Sequence, residues 1–352
     1  MAINFKPTTN LITGIGGFVA SHLADLLLEK GEKVVGTYRW NEDLSRIKHI
    51  KDKIIMVPAD LNDLSSLIKA MEEHKPDYVF HLAAHSYVGD SYDYPIETIN
   101  TNCTGTVKLL EAIKIVKDNY KGGNSFDPVI HVCSSSEVYG LVDESLIPIK
   151  EDCRFNPSNP YAVGKVGTDM AALLYFTNYK LKTIRTRMFT HTGPRRTMMS
   201  AECAFAKQIA EFEKIENSKI EVQTMDGIKE GFIMEYTLKH GNLESIRTFA
   251  DVRDAVKAYY KLVHEATPGE VYNIGGERTC TIGDVLNTLI SLSPIKDKIK
   301  TEVDPKLLRP YDVTLQIPDI SKFEKETGWK AEIPFEKTME DLLNWWRTQV
   351  WV

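Results

Sequence analysis

Residues 10–20 read Asn-Leu-Ile-Thr-Gly-Ile-Gly-Gly-Phe-Val-Ala, an apolar run that breaks at a glycine cluster and resumes as a helical pattern. Gly14 and Gly17 allow a tight turn and let backbone N–H groups approach a pyrophosphate at the helix start. Phe18 follows the turn, and Ala20 takes the third small position, where helix and strand pack closely. This strand–turn–helix context predicts a dinucleotide site; the alternative is a glycine turn without a ligand.

The same rhythm continues on the C-terminal side of this turn. Short β-branched runs alternate with helical segments through the first half of the chain, as in βαβ units. We predict strands over residues 10–13, 33–38, 54–59, 78–82, 129–134 and 182–188. Between them we predict helices over residues 21–30, 64–73, 102–116 and 161–178. The pattern predicts an α/β fold with a Rossmann-type, doubly wound parallel sheet.

The rhythm breaks after residue 190. The later residues contain predicted helices over 204–215 and 282–292, a strand over 271–274, a polar stretch without an assignment, and a C-terminal amphipathic helix. We therefore predict a nucleotide-binding domain over residues 1–190, to which residues 243–276 return. A smaller C-terminal α/β substrate lobe is predicted over residues 191–352.

Composition excludes several classes of protein. The 352 residues are 43% hydrophobic and 26% charged with a net charge of −6, which argues against a disordered chain and against a nucleic-acid binder. No apolar run reaches the roughly 18 residues of a membrane span, and the N-terminus does not resemble a signal peptide. The five cysteines form no C-x-x-C pair, so we predict no disulfides, no metal site and a cytoplasmic location. His131 is predicted to be a core histidine, and Trp345, Trp346 and Trp351 to be packing residues.

The second predicted strand ends in Arg39, where many NAD sites carry an acidic residue. An arginine suits a 2′-phosphate, so NADP is the predicted cofactor, with NAD the alternative. Asp60, after the third strand, is a candidate adenine contact or, equally, a helix N-cap. Leu61, Leu82 and Ala84 are also predicted to contact the cofactor.

Tyr161 and Lys165 lie four residues apart, on one face of the predicted 161–178 helix. The ammonium group of a lysine so placed stabilises a phenolate, and such a tyrosine removes a hydroxyl proton while hydride leaves the same carbon. The strand end Ser134-Ser135-Ser136-Glu137 precedes this pair, which favours a catalytic reading over a structural one.

Together these motifs resemble the extended short-chain dehydrogenase/reductase family, and the resemblance runs over nearly the whole chain. Within it the chain is similar to the GDP-mannose 4,6-dehydratases and the related GDP-4-keto-6-deoxymannose reductases. The stretches that carry this similarity are residues 36–40, 81–86, 135–140, 191–196, 205–209, 241–243, 247–254 and 304–310.

The resemblance implies roles for four catalytic residues. Ser135 would hydrogen-bond the sugar 4-hydroxyl, Tyr161 would act as the base with Lys165 beside it, and Glu137 matches the dehydratase glutamate. In the implied reaction hydride first moves from carbon 4 to the cofactor, which leaves a 4-keto sugar. Glu137 then removes the proton on carbon 5, and water leaves carbon 6. Finally the same hydride returns from the cofactor to carbon 6. Two alternatives for Glu137 stay open: it could only cap or orient, and related reductases also carry a glutamate there.

The predicted nucleotide-sugar contacts come from both halves of the chain. They are Ser86, Ser136, Thr190, Lys207, Arg247 and Arg309, and His191 is added as a cofactor contact. Arginine forks suit a diphosphate, whereas a surface charge is the alternative for each basic residue. The family pattern is broken at His85, Thr190 and Ala204, and the segment 225–236 is longer than its counterpart. Because these departures fall on residues predicted to meet the substrate, the sugar need not be mannose, and a related GDP-linked hexose or heptose also fits as substrate.

Two rival functions follow from the same residues. One is an NAD(P)H-dependent 4-keto reductase or 4-epimerase of a nucleotide sugar. The other is a non-catalytic dinucleotide-binding sensor, which the complete Ser135, Tyr161 and Lys165 set disfavours. Because family members pair through two long helices, the resemblance implies a homodimer or homotetramer.

Overall fold

The computed structural model describes residues 7–120, 126–226, 235–308 and 315–350. The strands are β1 Thr9–Thr13, β2 Lys33–Tyr38, β3 Ile55–Pro58, β4 Tyr78–His81, β5 Val129–Cys133, β6 Lys182–Met188, β7 His191–Thr192, β8 Tyr236–His240, β9 Ile246–Asp251, β10 Val271–Ile274, β11 Arg278–Thr281, β12 Ile299–Val303 and β13 Leu315–Gln316. The α-helices are α1 Phe18–Glu29, α2 Leu64–His74, α3 Val88–Asp93, α4 Pro95–Ile99, α5 Gly105–Asn119, α6 Pro160–Tyr179, α7 Ala201–Asp226, α8 Val252–Glu265, α9 Ile282–Ser291, α10 Ser321–Thr327 and α11 Phe335–Val350.

The chain divides into two compact units. Unit 1 comprises Met1–Phe189, Val252–Gly275 and Pro318–Lys330, and unit 2 comprises Thr190–Asp251, Gly276–Ile317 and Ala331–Val352. Residues 243–251, predicted to return to the nucleotide-binding domain, lie in unit 2 because β9 pairs there with β7, β11 and β13. Residues 318–330 join unit 1, where α10 packs on β10.

Unit 1 is built on a seven-stranded sheet in the order β10-β6-β5-β4-β1-β2-β3, and every neighbouring pair is parallel. The chain runs outward from β1 to β3 and then returns to place β4 on the other side of β1. The predicted Rossmann-type fold is confirmed. In such sheets the crevice at the carboxyl ends of the strands beside this reversal is where ligands bind.

Apolar strands and helices of unit 1 bury each other as the sequence rhythm predicts. Leu11, Val79 and Ile130 of the sheet and Leu109 and Ile113 of α5 belong to one fully buried cluster. Each such side chain stabilises the fold by about 1.5–3 kcal/mol relative to leaving it in water. This core fixes the carboxyl ends of β1, β4 and β5 as one rigid edge.

Several helix boundaries differ from the predictions. The first helix begins at Phe18 rather than at residue 21, because Gly17 is its N-cap and offers no side chain that would mark the start. The seventh helix continues to Asp226, well past the predicted end at residue 215. Most of the long segment predicted over 225–236 lies outside the described residues, which stop at 226 and resume at 235.

Unit 2 contains smaller sheets, with β9 at the centre of one and a parallel β8–β12 pair forming another. Met339, Leu342 and Leu343 of α11 are fully buried in a core shared with α7 and α9. Trp346 belongs to this core and Trp345 packs against it, which confirms their predicted role. Trp351 lies outside the described residues.

His131 has no solvent exposure, and its Nε2 lies 2.8 Å from the hydroxyl of Thr186. Its prediction as a core histidine is confirmed. Among the described helices, none combines the length and apolar character that crossing a bilayer requires.

Candidate active site

The glycine-rich turn joins the end of β1 to α1. Gly14 has a φ of +69°, and a Cβ added there would lie 3.0 Å from the Cα of Ala83, so both conformation and close approach require glycine. The N–H of Gly17 closes the turn on the carbonyl of Gly14 at 2.9 Å. No side-chain hydrogen bond caps α1 at Gly17. The first N–H groups of α1 can therefore receive a pyrophosphate, and the turn fits a dinucleotide.

Gly16 is a further glycine of this turn that the sequence interpretation did not use. A Cβ there would lie 2.6 Å from the carbonyl oxygen of Asp43 and 2.7 Å from Oε1 of Glu42. The guanidinium of Arg46 donates to the Gly16 carbonyl at 3.3 Å. The segment after β2 therefore packs directly on the phosphate turn, which explains the glycine at this position.

Arg39, the predicted cofactor selector, lies in this segment with an exposed side chain. Its backbone N–H donates to Oε2 of Glu42 at 2.9 Å, which fixes the start of the segment. Asp60 is not a helix N-cap: its Oδ1 accepts from the backbone of Asn62 at 2.8 Å, and Asp63 caps α2 instead. A role for Asp60 toward adenine stays a prediction.

A buried histidine joins the phosphate turn to the end of β4. The hydroxyl oxygen of Thr13 accepts the backbone N–H groups of Leu82 at 3.1 Å and Ala83 at 3.0 Å. Its own hydrogen therefore points to Nδ1 of His81 at 3.0 Å, which leaves Nε2–H to donate to Thr106 at 2.9 Å. Burial, and then the charge of Lys165, lowers the pKa of His81 to about 3, so this ring is a neutral spacer.

The start of α5 is preceded by a π-helical turn at Asn100–Thr104. Asn102 uses both ends of its amide on the backbone of His85, with distances of 2.8 and 3.0 Å. The backbone carbonyl of Asn102 accepts hydrogen bonds from the hydroxyls of Thr106 and of Thr168, which lies on α6. A π-helical turn leaves some backbone carbonyls without the hydrogen bond that a regular α-helix would give them. Here the Asn102 carbonyl bonds α5 to α6 instead.

Ser135 and Glu137 lie immediately after β5. The backbone N–H of Glu137 donates to the Ser135 hydroxyl oxygen at 3.2 Å, which starts a short 3₁₀ turn over Ser136–Tyr139. One carboxylate oxygen of Glu137 accepts from Nδ2 of Asn159 at 3.1 Å. Asn159 is also the N-cap of α6, with its Oδ1 accepting from Ala162 at 2.8 Å.

Tyr161 and Lys165 follow this cap on α6. The Nζ atom of Lys165 lies 5.9 Å from the ring centroid of Tyr161 and donates to the carbonyl of Cys133 at 2.8 Å. The Ser134 hydroxyl donates to the Lys165 carbonyl at 3.3 Å, so α6 is bonded to the end of β5 at two points. Burial lowers the pKa of Lys165. The four predicted catalytic residues thus lie on two elements, the turn after β5 and α6, which are hydrogen-bonded to each other through Asn159 and Lys165.

A family model described as GDP-mannose 4,6 dehydratase matches residues 11–342. This match takes in both units and all the described catalytic candidates. The chain belongs to this family. The resemblance to the GDP-sugar branch of the extended short-chain dehydrogenases/reductases is thereby confirmed.

Relatives of this GDP-mannose 4,6 dehydratase family member match along almost their whole length. A GDP-mannose 4,6-dehydratase from Yersinia enterocolitica is 29% identical, with 95% of this chain and 92% of the relative covered. A GDP-6-deoxy-D-mannose reductase from Pseudomonas aeruginosa is 27% identical, with 96% and 97% covered. The solved structure of RMD from Pseudomonas aeruginosa complexed with NADPH has a TM-score of 0.76 and 26% identity, with 97% of this chain and 99% of that chain covered.

The substrate-side candidates of this family member are divided between the units. In unit 1, Ser86 is exposed after β4 and Ser136 is buried after β5. His85 in the same unit has Nδ1 at 3.1 Å from the hydroxyl of Thr98.

In unit 2, the Thr190 carbonyl accepts from Ala250 at 2.9 Å, and His191 pairs with the same residue across β7 and β9. Lys207 lies 3.6 Å from Glu211 and donates to the Met198 sulfur at 3.4 Å.

The guanidinium of Arg247 donates to the carbonyl of Ile246 at 2.9 Å. Arg309 lies outside the described residues.

Among the described residues, no group of three or more His, Cys, Asp or Glu side chains is arranged to hold a metal ion.

Several functional contacts escaped the sequence interpretation of this family member. Asn159 was visible only as an Asn-Pro pair that marks a helix start, a signal that does not reveal its second bond to Glu137. For Thr13, His81 and Asn102, the sequence motifs do not reveal the hydrogen bonds that these side chains make. Their contacts join residues far apart in sequence, which only the packed sheet brings together.

Proposed function

We propose that this chain is a GDP-mannose 4,6-dehydratase-like enzyme that converts a GDP-hexose or GDP-heptose to its 4-keto-6-deoxy form. The observation that carries the proposal is the carboxylate of Glu137, bonded through Asn159 to the start of the helix that bears Tyr161 and Lys165. A dehydratase needs two proton-transfer groups at adjacent carbons, and this arrangement supplies them on one rigid edge.

Tyr161 is the base for the 4-hydroxyl. The buried ammonium of Lys165 stabilises negative charge on the phenol oxygen, and the hydroxyl of Ser135 hydrogen-bonds the same sugar oxygen. The dinucleotide, when bound, supplies the hydride acceptor for carbon 4 and the donor for carbon 6. Because the hydride returns within one turnover, the net reaction is loss of water.

Glu137 removes the proton from carbon 5 of the 4-keto sugar. A carbon next to a ketone is acidic enough for a positioned carboxylate. The 6-hydroxyl takes up the proton that Glu137 has accepted and leaves as water, which completes the elimination. Carbon 5 regains a proton when the hydride returns to carbon 6. The amide N–H of Asn159 donates to one oxygen of this carboxylate and so holds the group in place.

NADP is the proposed cofactor. Arg39 follows β2 and its side chain is exposed beside the phosphate turn, where a guanidinium can pair with a 2′-phosphate. The Pseudomonas aeruginosa structure of similar fold holds NADPH.

The cofactor contacts are assigned to Gly14, Gly17, Phe18, Ala20, Arg39, Asp60, Leu61, Leu82, Ala84, Tyr161, Lys165 and His191. The substrate contacts are assigned to Ser86, Ser136, Thr190, Lys207, Arg247 and Arg309.

A 4-keto reductase of a GDP-sugar is the second candidate. It is favoured by the match to a GDP-6-deoxy-D-mannose reductase, which spans 97% of that protein. A reductase consumes NADPH with each turnover, whereas the dehydratase regenerates its cofactor. Net cofactor oxidation with a 4-keto sugar therefore separates the two.

A homo-oligomer in the cytoplasm is the proposed state of the chain. Val163, Met170 and Leu174 on α6 are 44%, 38% and 46% exposed, although all three are apolar. Burial of such a stripe against a second copy removes it from water. The five cysteines are free thiols, which suits a reducing compartment.

The deciding experiment incubates the purified protein with GDP-mannose and, separately, GDP-manno-heptose, with and without added NADP⁺, followed by mass spectrometry. The expected product is lighter by about 18 mass units, the mass of the water that the β-elimination releases. Glu137→Gln is the matched variant and should yield no such product. An unchanged substrate in all arms would refute the dehydratase, and NADPH oxidation with a 4-keto sugar would then establish the reductase.

A further inference from the structure

Asn159 makes two bonds with the two ends of one amide. Its Oδ1 accepts the backbone N–H of Ala162 at 2.8 Å and so caps α6, while its Nδ2 donates to Oε2 of Glu137 at 3.1 Å. The residue is 7% exposed; its bond to Ala162 is buried, and its bond to Glu137 is partly buried. The same side chain therefore touches the start of the Tyr161 helix and the carboxylate beside it.

Capping alone does not require asparagine at this position. Serine, threonine and aspartate cap helices about as well, and none of them extends a separate N–H group beyond the capping oxygen. The bond to Glu137 is the feature that asparagine adds. The backbone of Glu137 is held independently, by the hydroxyl of Ser135 at 3.2 Å. With both ends of Glu137 anchored, its other carboxylate oxygen has a fixed position.

We propose that Asn159 is a positioning residue that keeps the Glu137 carboxylate aimed at carbon 5 and holds it in register with Tyr161. This inference rests on the proposed dehydratase function. The N–H donor fixes one carboxylate oxygen, so the bond orients the group that accepts the proton. Because α6 begins at this cap, a shift of Tyr161 would also move the group that holds Glu137.

The charged and titratable surroundings of Glu137 are defined by the elements packed against its turn. These are Tyr161, Lys165 and Asp169 of α6 and Arg187 of β6, with Tyr139 on the turn itself. Asp169 and Arg187 form a buried ion pair at 2.9 Å, and Arg187 also donates to the hydroxyl of Tyr139. Replacing Asn159 leaves the identity of all these groups unchanged, so we assign a changed pH response to Asn159.

The test uses the full-length holoenzyme and three variants. Asn159→Ser keeps a capping oxygen and removes the donor, and Asn159→Asp keeps the cap but places an acceptor against the carboxylate. Asn156→Ser is the matched control, because Asn156 stands before a proline three residues earlier and its amide donates to the Leu141 carbonyl instead. The measured quantities are cofactor reduction by substrate, exchange of the carbon 5 proton in D₂O, and their pH dependence.

We expect Asn159→Ser to slow carbon 5 exchange by about 10- to 100-fold while cofactor reduction stays near the wild-type rate, because a hydrogen bond to a charged group is lost. Asn159→Asp should slow it further and move the acid limb of the exchange profile to higher pH. Asn156→Ser should change neither step. Equal slowing of both steps, or a lower Tm with an unmoved pH profile, would show that Asn159 is only a cap.

A second readout needs no turnover. The carboxyl carbon of ¹³C-labelled Glu137, assigned by its disappearance in Glu137→Gln, is titrated by NMR in the wild type and in Asn159→Asp. We expect the titration midpoint in the variant to lie above that of the wild type. Identical midpoints overturn the positioning role. A raised midpoint in a protein that does not dehydrate either GDP-sugar supports the contact and refutes the dehydratase alone.

Discussion

The ammonium group of Lys165 donates a 2.8 Å hydrogen bond to the backbone carbonyl of Cys133, the last residue of β5. Lys165 is only 6% exposed. A carbonyl carries a partial charge and neutralises a cation less fully than a carboxylate does, so the ammonium keeps attraction for a second anionic oxygen. This arrangement places an incompletely compensated cation beside Tyr161, where the proposed mechanism forms a phenolate during proton transfer.

Replacing this cation should separate activity from stability. We expect Lys165→Met to lower kcat by about 10²- to 10⁴-fold, since phenolate stabilisation is lost. We also expect a higher Tm at pH 7. The pKa of Lys165 is lowered by burial, so the folded state holds the charge less well than the unfolded state does. This penalty is full below the folded pKa of Lys165, shrinks as the pH rises and vanishes above pH ~10, where the unfolded lysine is also neutral.

The control for this variant is Lys69→Met, which removes a lysine whose side chain is 74% exposed on α2. That change should alter neither kcat nor Tm appreciably. A clear fall in the Tm of Lys165→Met, measured by differential scanning calorimetry, would contradict the account of Lys165 as a destabilising buried charge.

Arg39 offers a test of cofactor choice. We expect Arg39→Ala to weaken NADP⁺ binding by about 10- to 100-fold and to leave NAD⁺ binding nearly unchanged, because only NADP⁺ carries the 2′-phosphate that the guanidinium would pair with. Isothermal titration calorimetry with each dinucleotide measures the two affinities. Arg154→Ala, at another exposed arginine of unit 1, is the control. Equal losses for both dinucleotides would refute the role of Arg39 as a selector.

The sheet of unit 1 could be predicted closely from the sequence. The strands Lys33–Tyr38 and Lys182–Met188 have the predicted bounds, because β-branched runs between polar turns leave little choice of register. The start of a helix was harder to predict where it depends on backbone geometry and not on a side chain. Gly17 caps α1 without a side chain, and the π-helical turn at Asn100–Thr104 replaces the predicted start of α5 at residue 102.

The candidate site shows the same division. Ser135, Glu137, Tyr161 and Lys165 could be proposed as catalytic residues from the sequence, because their chemistry lies within two short motifs. The contacts that position them could not. Lys165 reaches the carbonyl of Cys133, and a carbonyl has no sequence signature.

Two buried histidines should make the free energy of unfolding depend on pH between about pH 5 and pH 7, which is above the pH at which carboxylates titrate. Burial lowers the pKa of His81 and of His131 to about 3, against 6.5 for a free histidine. Below pH 6.5 the unfolded chain therefore binds protons that the folded chain does not. Each histidine should reduce the free energy of unfolding by about 2 kcal/mol between pH 7 and pH 5.

His131→Phe tests this dependence, since it retains a ring and removes one proton-binding site. Urea unfolding at pH 7, 6 and 5 should show a smaller loss of stability with acid than the wild type shows, by about 2 kcal/mol over this range. The loss of the bond to Thr186 affects every pH alike and does not enter the comparison. A pH dependence equal to that of the wild type would refute the neutral state of His131.

The apolar stripe on α6 predicts how copies of the chain associate. Met170 and Leu174 are one helical turn apart and both exposed, so two glutamates there would place charge at the proposed interface. We expect the wild type to be a dimer or tetramer by light scattering, and Met170→Glu/Leu174→Glu to shift it toward the monomer mass of 39.9 kDa. Val303→Glu, at a 49% exposed valine of unit 2, is the control and should leave the mass unchanged. A wild type that already scatters as a monomer would remove the interface, because the stripe would then face water in the native protein.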